Sequence, residues 1–314
     1  MTAGHWTKAR VIWNPNAGQK GGIPVNRASP EAIRTLLVEH GFGGAIQETE
    51  SAEQARTLAR DAVRDGCDLV VAAGGDGTIG IVATELLGSR VALGVVPLGS
   101  IMNIPRMLGI PRDPAAALDA IADGEVRAID VGRTRDRPFF ENGSIGLNAA
   151  IFREVQGVDE GDWLSLPRSV WVAFRYRPAR MLIRLDDDIV RTRALMVTVS
   201  NGPYTGAALT VAPAARVDDG LFDVRVFRHF SKLTLLRHLA SIAFGRRRYE
   251  PHVSTYRSRR VRIESVHPLP CRVDSHDQGT TPIDFEVVPR ALRVVVPRAE
   301  RREPGAALKD SAAA

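Results

Sequence analysis

Residues Asp68–Leu87 read DLVVAAGGDGTIGIVATELL, and their order decides the fold. Asp68–Ala73 is a near-continuous apolar run of strand length. Gly74-Gly75-Asp76-Gly77-Thr78 follows at once, and helical spacing resumes from about Ile79 to Leu87. A strand apolar on both faces needs cover on both, which a parallel sheet between helix layers supplies. The flanks agree. Ala9–Trp13 is a short β-rich run ending in the turn cluster Asn14-Pro15-Asn16-Ala17-Gly18. Pro30–His40 places Ile33, Leu36 and Leu37 at helical spacing and stops at Gly41. Ala45–Thr49 is a second strand. Ala52–Val63 puts Ala55, Leu58, Ala59 and Ala62 on one helical face before Gly66. Val91–Val96 is another buried strand, running into Pro97-Leu98-Gly99-Ser100. The expected fold of residues 1–131 is therefore α/β with a parallel sheet.

Beyond Val131 the pattern changes. Phe139–Glu141, Arg180–Asp186, Arg193–Val199, Phe222–Val226, Val261–Ser265 and Phe285–Val288 are short strand-like runs with turn residues between them. Helical spacing interrupts them at Ser165–Tyr176 and Lys232–Phe244. An antiparallel β-sandwich over 132–288 is predicted, followed by an apolar strand, Ala291–Val296, within a return segment 289–298. Residues 299–314 lack periodicity and are expected to be disordered.

Composition narrows the function. The 314 residues carry 42 Lys+Arg against 36 Asp+Glu, a net +6, with 44% hydrophobic residues, which is globular usage. No apolar run reaches the ~18–20 residues that a helical bilayer crossing needs. The first residues lack the apolar core of a signal peptide, so a cytoplasmic location is expected. Cys67 and Cys271 fit no disulfide framework and no zinc spacing, and the seven histidines form no ligand pair.

The glycine turn carries the chemistry. In an open α/β sheet, ligands gather at the carboxyl ends of strands, where helix N-termini favour phosphate. Gly74, Gly75 and Gly77 leave peptide N–H groups uncovered. Asp76 would repel a bare phosphate and makes sense with a divalent cation between them. Thr78 offers a hydroxyl to phosphate or caps the helix. The plainer alternative is a tight turn in which Asp76 and Thr78 are both caps. Gly75–Gly80 also satisfies G-x-G-x-x-G, but no carboxylate ends the next strand to hold a ribose, and a Walker A loop is absent, which disfavours a dehydrogenase and a P-loop ATPase.

Six ordered segments resemble the bacterial lipid-kinase branch of the superfamily that contains diacylglycerol kinases, sphingosine kinases and NAD kinases. They are Asn14–Gly18, Gly74–Thr78, Pro97–Ser100, Ser144–Ala149 (SIGLNA), Asp219–Asp223 (DGLFD), and the closing Gly279–Pro282 with Pro289–Leu292. The resemblance spans about residues 10–298. It implies a nucleotide domain and a β-sandwich lipid domain with the ATP site between them, the closing segment returning to the first domain. The implied reaction is transfer of the γ-phosphoryl group of ATP, with Mg²⁺, to a hydroxyl of diacylglycerol or a related lipid. The amides of Gly74–Gly77 would cradle phosphates, Asp76 would hold Mg²⁺, and Thr78 and Ser100, with Gly99, Asn14, Thr49 and Asn103, would contact nucleotide.

The departures are as informative. Relatives carry Asn-Asp-Phe after the second glycine loop, whereas this chain reads Met102-Asn103-Ile104, so Asn103 replaces a carboxylate. The Asp-Gly-Glu that supplies the base in the resembling family reads Asp274-Ser275-His276 here, leaving His276, or Asp277 beside it, as candidate base. The structural Mg²⁺ of relatives would use Asp219 and the Leu221 carbonyl, but Arg216 stands in the third place. Two alternatives stay open: a weak or inactive nucleotide- or lipid-binding relative, and an NAD kinase-like enzyme. Arg246, Arg247, Arg248, Arg257, Arg259 and Arg260, against the single acid Glu250 and among Phe244, Tyr249 and Tyr256, suit peripheral contact with an anionic inner membrane face. No nucleic-acid motif accompanies them. The sequence leaves oligomeric state open, a homodimer included.

Overall fold

The alternation inside the apolar strands decides which helix layer each residue meets. In the computed structural model, which describes residues 6–17, 19–20, 23–24, 29–135, 137–159, 171–172, 175–205, 209–228 and 253–298, Leu69, Val71 and Ala73 face one core and Val70 and Ala72 the other. The first half runs β1 (Ala9–Trp13), α1 (Pro30–Glu39), β2 (Ile46–Glu48), α2 (Ala52–Arg64), β3 (Leu69–Gly74), α3 (Asp76–Glu85), β4 (Ala92–Pro97), α4 (Asn103–Met107), α5 (Pro114–Asp123) and β5 (Glu125–Arg133). Strands β2, β1, β3 and β4 lie side by side and parallel. Helices α1 and α5 cover one face through Ile33, Leu37, Leu118 and Ile121; α2 and α3 cover the other through Ala55, Ala59, Ile79 and Val82.

The chain then forms β6 (Asn142–Gly146), α6 (Leu147–Asp159), β7 (Ala179–Arg184), β8 (Ile189–Ala194), β9 (Met196–Ser200), β10 (Phe222–Phe227), β11 (Val253–Ser258), β12 (Arg260–Ser265), β13 (Pro270–Val273), β14 (His276–Thr280) and β15 (Ile283–Val296). One sandwich sheet is antiparallel in the order β11-β10-β9-β6-β13-β14; the other, β8-β7-β12, joins β15. Between them Phe139 stacks on Phe222 at 5.6 Å and meets Phe285 edge-on at 5.8 Å, with Ile145, Val197, Val224 and Ile263 around them.

β15 ties the halves together. Its first part pairs with β12, its last part runs parallel to β4, and β5 pairs antiparallel along both. The predicted strands Phe285–Val288 and Ala291–Val296 are thus one strand, bulged between Val288 and Leu292, with Arg290 left-handed (φ 51°). Asp130, buried on β5, accepts the Arg290 N–H (2.8 Å) and the Gly220 N–H (2.6 Å) and so pins the bulge to the Asp219–Leu221 turn.

Other expectations are corrected. Arg193–Val199 is two strands in different sheets, with the crossing at Leu195, whose N–H bonds the Phe227 carbonyl (2.8 Å). Phe139–Glu141 is strand only at Pro138–Phe139; the ladder resumes at Asn142. The predicted helix Lys232–Phe244, the tail 299–314, and Arg246, Arg247, Arg248, Tyr249 and Glu250 lie outside the described residues. So does most of Ser165–Tyr176, within which Trp171, Val172 and Arg175 are helical. Among the described residues no helix is long and apolar enough to cross a membrane.

Candidate functional site

Chain order β1, β2, β3 against sheet order β2, β1, β3 puts the topological switch between β1 and β3, where α/β sheets open a crevice. Both predicted loops end there. The Asn14 N–H bonds the Ala73 carbonyl (2.9 Å), and its side-chain amide reaches the Thr78 hydroxyl at 3.4 Å. Gly74 is required: a Cβ on it would lie 2.7 Å from the Thr78 Cβ. The second glycine loop closes against the first, with the Leu98 N–H bonded to the Gly74 carbonyl (2.9 Å). A Cβ on Gly99 would come within 2.8 Å of the Gly75 Cα.

Helix capping separates α3 from its neighbours. Side chains of Ser29, Ser51 and Asp113 cap α1, α2 and α5. The α3 N-cap is Gly75 and has no side-chain cap bond, which leaves its first-turn amides to a ligand. Asp76 caps the following helix instead: its Oδ2 accepts from Met102 N (2.7 Å) and Asn103 N (3.3 Å), and its Oδ1 from Ile104 N (3.2 Å). Burial raises its pKa above the ordinary carboxylate value, against the pull of those three amides. With three of about four acceptor positions used, Asp76 has room for one more contact.

The remaining predicted contacts are spread around this point. Thr49 is buried at the end of β2, where its N–H meets the Trp13 carbonyl (2.8 Å) and its hydroxyl donates to the Ser51 carbonyl (2.9 Å). The Ser100 carbonyl is held by Arg112 (2.8 Å). Nothing would obstruct a Cβ on Gly77, so its surroundings are open. Asn103 is only 2% exposed and donates from Nδ2 to Glu141 Oε2 at 2.7 Å, across the seam between the nucleotide-type half and the sandwich.

Glu141 was not anticipated. It follows Phe139 and Phe140, and a charge closing a buried apolar pair was the available signal. It is 9% exposed; burial, with Asp274 and then Asp76 adding repulsion and the Asn103 bond and Arg272 opposing, pushes its carboxyl up to about 8. Asp274 is left-handed (φ 46°) and accepts the amides of Phe140 (2.8 Å), Glu141 (2.9 Å) and Asn142 (3.1 Å); burial also raises its value. The candidate bases stand differently. Arg153 grips Asp277 at 2.8 Å through Nη2 and holds it below the usual carboxylate range, a weak proton acceptor. His276 sits on exposed β14, and burial of its ring, with Arg137 nearby, lowers its value.

Asp219 and the Leu221 carbonyl do not fit a cation. One Asp219 oxygen is ion-paired with Arg257, the other accepts the Leu221 N–H (3.1 Å), and Arg216 turns to Asp218 (3.2 Å). No group of three or more metal-ligating side chains occurs among the described residues. Among the described residues, Asp76 is the carboxylate at the glycine turn with an acceptor position left to meet a magnesium ion, whose shell the ligand's own oxygens and water would complete.

Residues 8–134 match the family described as diacylglycerol kinase catalytic domain, and residues 149–296 the YegS C-terminal NAD kinase beta sandwich-like domain. The chain belongs to the diacylglycerol kinase-like family of lipid kinases. It is 25% identical over 297 residues to a diacylglycerol kinase of Bacillus subtilis, covering 93% of this chain and 97% of that one. It is 28% identical over 288 residues to a probable lipid kinase YegS-like of Chromohalobacter salexigens, covering 89% and 91%. A diacylglycerol kinase structure from Bacillus anthracis superposes with a TM-score of 0.71 at 20% identity, covering 94% and 98%, which bears on the fold. The α/β half and the antiparallel sandwich are those of this lipid-kinase family.

Proposed function

We propose that this protein is an ATP-dependent lipid kinase, passing the γ-phosphoryl group to the hydroxyl of diacylglycerol or a related lipid. The observation that carries the reading is the uncapped N-terminus of α3, set between two touching glycine loops at the switch point. Amides aimed at a developing phosphate charge do most of the work in phosphoryl transfer. Magnesium, when bound with the nucleotide, neutralises charge on the transferring group; the protein's part is to place Asp76 and the Gly74–Thr78 amides around it. Asn14, Thr49, Gly99 and Ser100 border the nucleotide, and Asn103 reaches the acceptor side. The domain limits, 1–131 and 132–288 with the return segment 289–298, follow the same division of labour.

The lipid side is the sandwich, and contact with an anionic membrane face through the arginines is part of this reading. Of the described ones, Arg257 is paired with Asp219 and Arg260 with Glu286 (3.5 Å), so exposed charge there is partly neutralised. A homodimer remains a further element of the proposal. Radiolabelled ATP over vesicles of anionic phospholipid and diacylglycerol tests the function. Label is expected in the lipid fraction; intact nucleotide binding with no labelled lipid overturns the kinase reading in favour of a binding relative.

A further inference from the structure

Glu141 faces two other carboxylates where the second glycine loop touches the sandwich, and each of those two already accepts three backbone amides. Asp76 accepts three amides of the 102–104 segment and Asp274 three amides of the 140–142 segment. Each is an anchor. The Glu141 carboxylate accepts one hydrogen bond among the described residues, from Asn103 Nδ2, out of about four positions it offers. A carboxylate nine-tenths buried with this much unused capacity is costly unless something else bonds to it. Meanwhile the two places where resembling kinases carry acids read Asn103 and His276, and Asp277 is committed to Arg153.

We infer that Glu141, in the segment entering β6, is the proton acceptor of the reaction, oriented by Asn103. The inference rests on the lipid-kinase reading. The lipid hydroxyl oxygen forms a bond to the γ-phosphorus while the bond from that phosphorus to the β–γ bridging oxygen breaks. The bridging oxygen keeps the electron pair and leaves as ADP, and the hydroxyl proton passes to the Glu141 carboxylate. The charged groups facing Glu141 are Asp274 and Asp76, which oppose its ionisation, and Arg272 on β13, which favours it. An acceptor that titrates near 8 matches a transfer run close to neutrality.

The test is kcat and the ATP KM of the full chain on vesicles of phosphatidylglycerol and diacylglycerol, from about pH 6 to pH 9. Because the ionised form takes the proton, wild-type kcat should rise through pH about 8 and then level. Glu141→Gln keeps an oxygen for the Asn103 amide; it should lower kcat by ~10²–10⁴-fold, leave the ATP KM nearly unchanged and remove the pH limb. Adding Asn103→Asp to that variant returns a carboxylate to the seam and should restore at least ~10-fold. Glu141→Gln with wild-type kcat and an intact limb overturns the assignment while leaving the kinase reading standing. A flat wild-type profile over that range overturns it without any variant, whether or not the variants fold. Absence of lipid phosphorylation by the wild type removes the kinase reading and this assignment together.

Discussion

Gly74 has no side chain because Thr78 already occupies the space where one would go. Gly74→Ala should therefore destabilise the chain by ~1–3 kcal/mol, read as a lower urea midpoint at unchanged slope. Glu141 makes a prediction of opposite sign. Its folded value is raised above the unfolded 4.5 to about 8, so the folded state binds more protons between those limits. Its favourable contribution is complete below about pH 4.5 and is lost as pH climbs through 8. Glu141→Gln should accordingly gain melting temperature over the wild type at pH 8 and not at pH 5, by calorimetry at both values. Stability traded for chemistry is what a buried reactive acid entails. The glycines of this site were legible from sequence because turn geometry is local. Glu141 was not, since its neighbours Asn103 and Asp274 are 38 and 133 positions away.

At the scale of elements, Asp76 acts on a helix other than the one it starts. Met102 is left-handed (φ 58°, ψ 48°), and α4 has no side-chain cap of its own, so the carboxylate from α3 supplies it. Asp76→Ala should expose the amides of Met102, Asn103 and Ile104 to faster hydrogen exchange and cost about 1–3 kcal/mol. Lipid phosphorylation should be abolished, and an unchanged rate would take Asp76 out of the mechanism. Helix α5 was overlooked although Asp113 caps it and Pro114 opens it. Strand β5 was missed because Arg127, Asp130 and Arg133 break its apolar run. The crossing at Leu195 was hidden for a different reason. Both flanks are β-rich, and only the partners, β7 on one side and β9's neighbours β6 and β10 on the other, separate them.

For the molecule as a whole, the junction is the bulge in β15 and the carboxylate beneath it. Asp130→Ala would leave the Gly220 and Arg290 amides without their buried acceptor, a loss of ~2–5 kcal/mol if both bonds go. Denaturation should start at lower urea, with those two amides losing exchange protection first; a midpoint matching the wild type would show that the junction does not depend on Asp130. The sequence alone determined the parallel α/β half, the β-sandwich and the two glycine loops. Periodicity, turn residues and phosphate-ready helix starts depend on residues a few positions apart. Only the tertiary structure decided that β15 serves both halves, that Asp76 braces α4, that Arg257 neutralises Asp219 and that the buried acid at the seam is Glu141. These are choices of partner across tens to hundreds of residues, set by sheet order and by which charges burial leaves facing one another.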